Sequence, residues 1–96
     1  MAIIRTTRFK ADPARATEVV ARRAELISAV RAAYPGLIEA RLARADEDTW
    51  VDMWRWDSAA SLAAALAGAP ALPEAAAAFS LATNVTAENA DLVDER

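Results

Sequence analysis

The sequence predicts an α+β fold in one domain, residues 1–96, with a four-stranded antiparallel sheet and its helices on one face. Three observations carry this. Hydrophobic periodicity along the chain reads strand, helix, strand, strand, helix, strand. One long segment repeats its apolar residues every three to four positions, whereas its flanks alternate with period two. Only Asp46-Glu47-Asp48, a charged turn of hairpin length, separates the second strand from the third.

Each element has its own signal. In the first strand, Ala2 to Lys10, Ile3, Arg5, Thr7 and Phe9 share one face and Ile4, Thr6, Arg8 and Lys10 the other. Neither face is purely apolar, so both should meet protein or a cavity. Asp12-Pro13 starts a helix: Asp accepts from orphan N–H groups and Pro is preset for the first helical position. That helix runs to about Tyr34, roughly 33 Å at 1.5 Å per residue. Ala16, Val19, Val20, Ala24, Ile27, Val30 and Tyr34 should form its buried stripe, with Arg15, Glu18, Arg22, Glu25 and Arg31 opposite. Glu18 and Arg22 stand at a favourable i,i+4 spacing. Pro35-Gly36 ends the helix, with Gly expected as a left-handed cap.

Leu37 to Ala45 forms the second strand, Ile38, Ala40 and Leu42 alternating with Glu39, Arg41 and Ala43. The third, from Thr49 to Trp56, holds all three tryptophans within seven residues. Trp50, Asp52, Trp54 and Trp56 point one way, and Val51, Met53, Arg55 and Asp57 the other. Asp57-Ser58 caps a second helix, Ala59 to Ala67, which breaks at Gly68-Ala69-Pro70. A third helix spans Pro73 to Leu81, with Glu74 in its first turn where the dipole favours it. Thr83 to Ala90 is the last strand, and the polar tail Asp91 to Arg96 should fray or reach a partner.

The order β-α-β-β-α-β is the ferredoxin-like, split-βαβ arrangement. It leaves one sheet face bare in a single chain. Burying that face against a second copy predicts a homodimer through the open sheet.

Composition excludes several function classes. With no Cys, there are no disulfides, thiolate catalysis or Cys-based metal sites. With no His, the commonest general base, metal ligand and axial haem ligand are missing. The reading expects no metal and no cofactor. A net charge of −3 without a basic cluster argues against nucleic acid. Twenty-seven alanines, and ten arginines against one lysine, read as GC-rich bacterial coding bias. The N-terminus lacks the pattern of a secretion signal, which makes the cytoplasm the expected location. Ala59 to Ala82 carries one charge, Glu74, but Gly68, Pro70 and Pro73 interrupt it, against a membrane span. Asn84-Val85-Thr86 matches a glycosylation sequon and is read as strand.

An ionisable Asp52 among three indoles is unusual for a plain core. Buried there, it would have its pKa raised by desolvation and be poised as a general base. The plainer reading places it on the rim, solvated or paired with Arg41. Trp54 and Trp56 could wall a pocket, with Trp50 in the core. Arg55 and Arg8 could steady an enolate or peroxide anion by fixed charge, or form surface ion pairs. Thr7, Tyr34 and Asn84 are polar groups that could touch a ligand. Packing, a helix-end anchor and a strand position are their plainer roles.

Nearly the whole chain resembles the antibiotic-biosynthesis-monooxygenase-like family of dimeric α+β barrels. The resemblance is carried by Arg8-Phe9-Lys10 before Asp12-Pro13, by Tyr34-Pro35-Gly36-Leu37, and by Trp56-Asp57-Ser58-Ala59-Ala60 leading into a helix. It implies a pocket between sheet and helices in which oxygen attacks a polycyclic phenol without flavin or metal. In such oxygenases an Asn stands four residues before the Trp matching Trp56. Here Asp52 stands there, and an ionised carboxylate accepts hydrogen bonds but donates none. Relatives often add a Tyr, Arg or His from the segment after that Trp, where this chain has only Glu74. The haem-degrading branch requires a histidine that this chain lacks.

The first expectation is therefore a cofactor-independent monooxygenase acting on a planar polyketide-type phenol or quinol. Asp52, Trp56 and Arg55 would do the chemistry, and Trp54, Thr7, Tyr34 and Asn84 would hold the substrate. A non-catalytic dimeric binding or stress-response module, and a cofactor-free isomerase or cyclase, remain open alternatives.

Overall fold

A computed structural model describes residues 1–96. It contains β1 (Ile3–Lys10), α1 (Ala16–Ala33), β2 (Leu37–Arg44), β3 (Thr49–Trp56), α2 (Ala59–Gly68), α3 (Pro73–Phe79) and β4 (Thr83–Asp91). A 3-10 turn, Pro13–Arg15, leads into α1, and another, Ala69–Ala71, joins α2 to α3. The strand order is β2-β3-β1-β4 with every neighbour antiparallel. This is the expected ferredoxin-like sheet, with the tryptophan strand inside it.

The predicted caps form. The Asp12 side chain accepts from the Ala14 N–H at 2.9 Å, and Ser58 Oγ accepts from the Ser61 N–H at 3.1 Å. The helices bury one sheet face. Leu26, Ile27 and Val30 of α1 and Leu62 and Ala65 of α2 close on Ile3, Leu37 and Trp56. A smaller cluster, Ala11, Val19 and Trp50, seals the far end. There Phe9 stacks on Trp50 with ring centroids 6.4 Å apart, and the Arg44 guanidinium lies 4.6 Å from the Trp50 ring centroid.

Four local expectations are corrected. The buried stripe of α1 runs through Val19, Leu26, Ile27 and Val30, while Val20 is 49% exposed and Ala24 is exposed. The helix is rotated because the stripe includes a partly buried Arg23, which has a charged partner on the sheet. Arg22 pairs with Glu25 at 3.3 Å, and Glu18 with Arg15 at 2.8 Å, both at i,i+3, in place of Glu18–Arg22. Ile38 is 44% exposed, because a register shift between Leu37 and Glu39 leaves it unpaired and turns Leu37 inward.

Gly36, the fourth, does not adopt positive φ. It is needed because a Cβ there would lie 2.5 Å from Ser61 Cβ and 2.9 Å from Asp57 Oδ1. Gly36 lets α2 sit against the start of β2. Gly36→Ala should therefore destabilise the fold by about 1–3 kcal/mol, as overpacking does. Urea denaturation checks this, and Gly36→Ala with Ser61→Gly should recover part of the loss.

The β2–β3 turn is held by Asp46, whose Oδ1 accepts from the Asp48 and Thr49 N–H groups at 3.2 and 2.9 Å. Hydrogen bonding with the Asp48 side chain, then with Thr49, holds the Asp46 carboxyl down to about 2. On the other sheet face, Arg41 and then Arg55 hold Glu39 below its ordinary 4.5. Both shifts favour the ionised form in the folded state. Their contribution is complete above the ordinary values and is lost as pH falls through the folded ones. Stability should thus decline from about pH 4.5 towards 2, and Glu39→Gln with Asp46→Asn should flatten that limb of an acid-unfolding curve.

No single helix is long and apolar enough to cross a membrane, and the pair 59–71 and 73–79 is bent by 83° at its break.

Candidate functional site

Between the sheet and the helices lies a cavity of about 250 Å³. Strand alternation decides what its floor presents. Register aligns Asn89, Arg5, Trp54 and Ala40 in one row across the sheet, and Ala87, Thr7, Asp52 and Leu42 in the next. Two residues along a strand separate the rows by about 7 Å. Arg5, Thr7, Asp52, Trp54 and Trp56 all line the cavity. The roof is apolar: Val19, Leu26 and Val30 from α1, with Leu62, Ala65 and Ala75 from α2 and α3. Leu66, Phe79 and Val85, each more than two-fifths exposed, also line it.

Asp52 is buried, at 8% exposure. It is not on the rim and does not pair with Arg41, which instead donates to Glu39 at 2.6 Å. Its partner is Arg23, reaching down from the inner stripe of α1. Arg23 Nε donates to Oδ2 at 2.9 Å and Nη2 to Oδ1 at 3.0 Å. The two side chains are only 17% and 11% exposed, so this fork ties helix to sheet inside the protein. A carboxylate has about four acceptor sites, so two remain for a guest after the fork is made.

Arg5 is the other cation. Its only hydrogen bond is from Nη1 to Asn89 Oδ1 at 2.9 Å, and no carboxylate pairs with it. Trp54 and Trp56 lie side by side, centroids 6.4 Å apart and tilted by 34°. Trp54 is partly open to the cavity. Trp56 is 2% exposed and belongs to the core as well as the cavity wall, and its Nε1 has no hydrogen-bond partner.

Four expected ligand contacts lie elsewhere. Arg55 points to the opposite sheet face, donating to Glu39 at 2.9 Å and Glu95 at 3.2 Å. Period-two alternation puts it there once Trp54 and Trp56 face the helices. Arg8 lies on that face too. Tyr34 ends α1 with its hydroxyl packed on Gly68, where a Cβ would sit 1.9 Å from it. Asn84 has φ 52° and stands at the register shift opposite Phe9, a backbone role that Asn tolerates. Arg5 and Arg23 were not singled out as site residues. A signal existed for Arg23, since it occupies an apolar-stripe position while Asp52 interrupts the indoles.

The model of the family described as antibiotic biosynthesis monooxygenase matches residues 2–81. The chain belongs to that family. No curated relative matches the sequence. Among solved structures the monooxygenase-family chain is similar to SnoaB, a cofactor-independent oxygenase from Streptomyces nogalater. The two are 23% identical with TM-score 0.74, over 98% of this chain and 95% of that one. A Caulobacter crescentus protein assigned to the same family is 22% identical with TM-score 0.74, covering 97% and 91%. A dimeric ferredoxin-like protein of unknown function from Jannaschia is 10% identical with TM-score 0.67, covering 96% and 100%. At these identities the likeness establishes the fold of this family member.

Proposed function

We propose that this chain is a cofactor-independent monooxygenase that oxidises an activated ring methylene of a planar polyketide-type phenol. The observation that carries the reading is the floor of the cavity, where a clamped carboxylate, Asp52, stands beside an indole open to the guest, Trp54. Family membership and the likeness to SnoaB support it. The volume lies just below the usual range for ligand pockets, about 300–1,000 Å³, which suits a compact flat molecule.

Substrate and oxygen supply all the electrons. Asp52 accepts a hydrogen bond or proton from the substrate, and the anion spreads onto the ring carbon. Oxygen bonds to that carbon, the O–O bond breaks as the second C–H proton leaves, and the methylene becomes a ketone with release of water. The balance is CH₂ + O₂ → C=O + H₂O. Trp54 stacks on the rings, Trp56 closes the wall behind it so that water is excluded, and Thr7 adds a hydroxyl. Arg55, facing the other way, has no part in it.

We further propose a homodimer, because Ile4, Val51 and Met53 lie on the sheet face that no helix covers. Sedimentation velocity should show a dimer that Met53→Asp dissociates. A monomeric wild type would reject it.

The test of the chemistry is oxygen uptake with an anthrone. One ¹⁸O atom from ¹⁸O₂ should appear in the product, and Asp52→Leu combined with Arg23→Met, which removes the carboxylate and its buried partner together, should slow turnover about 10²-fold or more. No uptake above the uncatalysed rate would end the oxygenase reading. The apolar roof favours one alternative, a module that binds the same class of ligand without turning it over.

A further inference from the structure

We infer that Arg5 is the specificity-determining anchor of the cavity, and that its ligand is a planar aromatic carrying an anionic oxygen group. The inference rests on the cavity being the ligand site proposed above.

Charge balance leads to it. The cavity holds two guanidinium groups and one carboxylate. Arg23 is consumed by its fork with Asp52, one bond to each carboxylate oxygen. Arg5 is left with one neutral amide acceptor, Asn89 Oδ1. A guanidinium has five N–H donors, so most of its capacity is unspent. Arg5 is half-buried and its bond to Asn89 is exposed, so water meets its free donors in the empty cavity, and a guest that displaces this water must supply an acceptor in its place. Nothing in the roof can do so, since its residues other than Arg23 are apolar. The missing partner is a guest.

Position narrows the guest further. Trp54 is the direct cross-strand neighbour of Arg5. An oxyanion on the Arg5 fork therefore puts the ring to which it is bonded over the indole. Asp52 lies one row farther along, which separates the end that carries the charge from the edge that meets the carboxylate. A ligand with its acid group at the Asp52 end would face a like charge. The register thus sets one orientation, anion towards Arg5. Aryl carboxylates and ionised phenols share this chemistry.

Isothermal titration with 2-naphthoate, the neutral isostere 2-naphthamide and 2-naphthol distinguishes them. Wild type should bind naphthoate about tenfold to a hundredfold more tightly than naphthamide, as a charge-assisted pair predicts. Arg5→Met should abolish that preference while leaving naphthamide binding in place, which also reports that the variant is folded. Arg5→Lys should keep the charge and part of the preference. If Arg5→Met binds neither compound, Arg5→Lys decides: equal affinities there overturn the inference. Naphthol whose affinity rises as it ionises would assign the phenolate, and a flat response with selective naphthoate binding the carboxylate. Equal affinities of wild type for naphthoate and naphthamide overturn the anchor but leave an aromatic pocket. Selective naphthoate binding without ¹⁸O incorporation overturns the oxygenase and leaves the anchor. Binding of none of the three overturns both.

Discussion

Arg23→Met should destabilise the protein by about 3–5 kcal/mol, because it leaves the buried Asp52 carboxylate without its only charged partner. The loss is large for a chain of this size, so it should appear as a marked drop in the urea midpoint. Asp52→Leu alone should be damaging for the mirror-image reason, an unpaired guanidinium under α1. The double variant, Arg23→Met with Asp52→Leu, should recover most of the loss, since well-packed apolar pairs often equal or exceed buried ion pairs. A double-mutant cycle in chemical denaturation measures the coupling. Additive effects would mean that the two groups do not depend on each other. The same cycle separates structure from chemistry. If the double variant is stable yet inert towards an anthrone, Asp52 works on substrate, and Arg23 is a positioning residue that aims it.

Trp56→Ala should cost about 3–5 kcal/mol, the range for removing a large aromatic from a core. At 2% exposure Trp56 packs with Ile3, Leu37, Val30 and Leu62, where the sheet meets both α1 and α2. In a single small core, that loss approaches the whole stability of the domain. Loss of activity in Trp56→Ala therefore says little about substrate. Trp56→Phe keeps most of the volume and should cost under half as much. Trp54→Ala is the informative variant, since that indole is partly exposed and borders the cavity. It should weaken ligand binding with a smaller stability change, read by comparing thermal midpoints with titration of 2-naphthamide.

Local chemistry explains most of what could be read in advance. Strands show as period-two alternation, and Asp12-Pro13 and Ser58 mark helix starts through hydrogen bonds made within three residues. The turn from Asp46 to Asp48 is equally local, with its own side chain satisfying its backbone. Such features need no knowledge of distant neighbours. That Asp52 and the tryptophans share one strand face follows from alternation alone, and so does the exile of Arg55 to the other.

What distant residues settle was not legible. Arg23 belongs to the inner stripe of α1 because Asp52, 29 positions away, meets it. A helical stripe read by hydropathy alone favours Ala24 instead. Arg5 looks like any strand arginine until the order β2-β3-β1-β4 sets it between Trp54 and Asn89. Gly36 resembles a helix cap, but the approach of Ser61 is what demands it. The chain's own periodicities determined the elements and their faces, because those depend on neighbours a few residues apart. Tertiary structure alone decided which charges meet, because an ion pair depends on distance in space, and only packing α1 over the sheet brings Arg23 to Asp52 and leaves Arg5 unpaired.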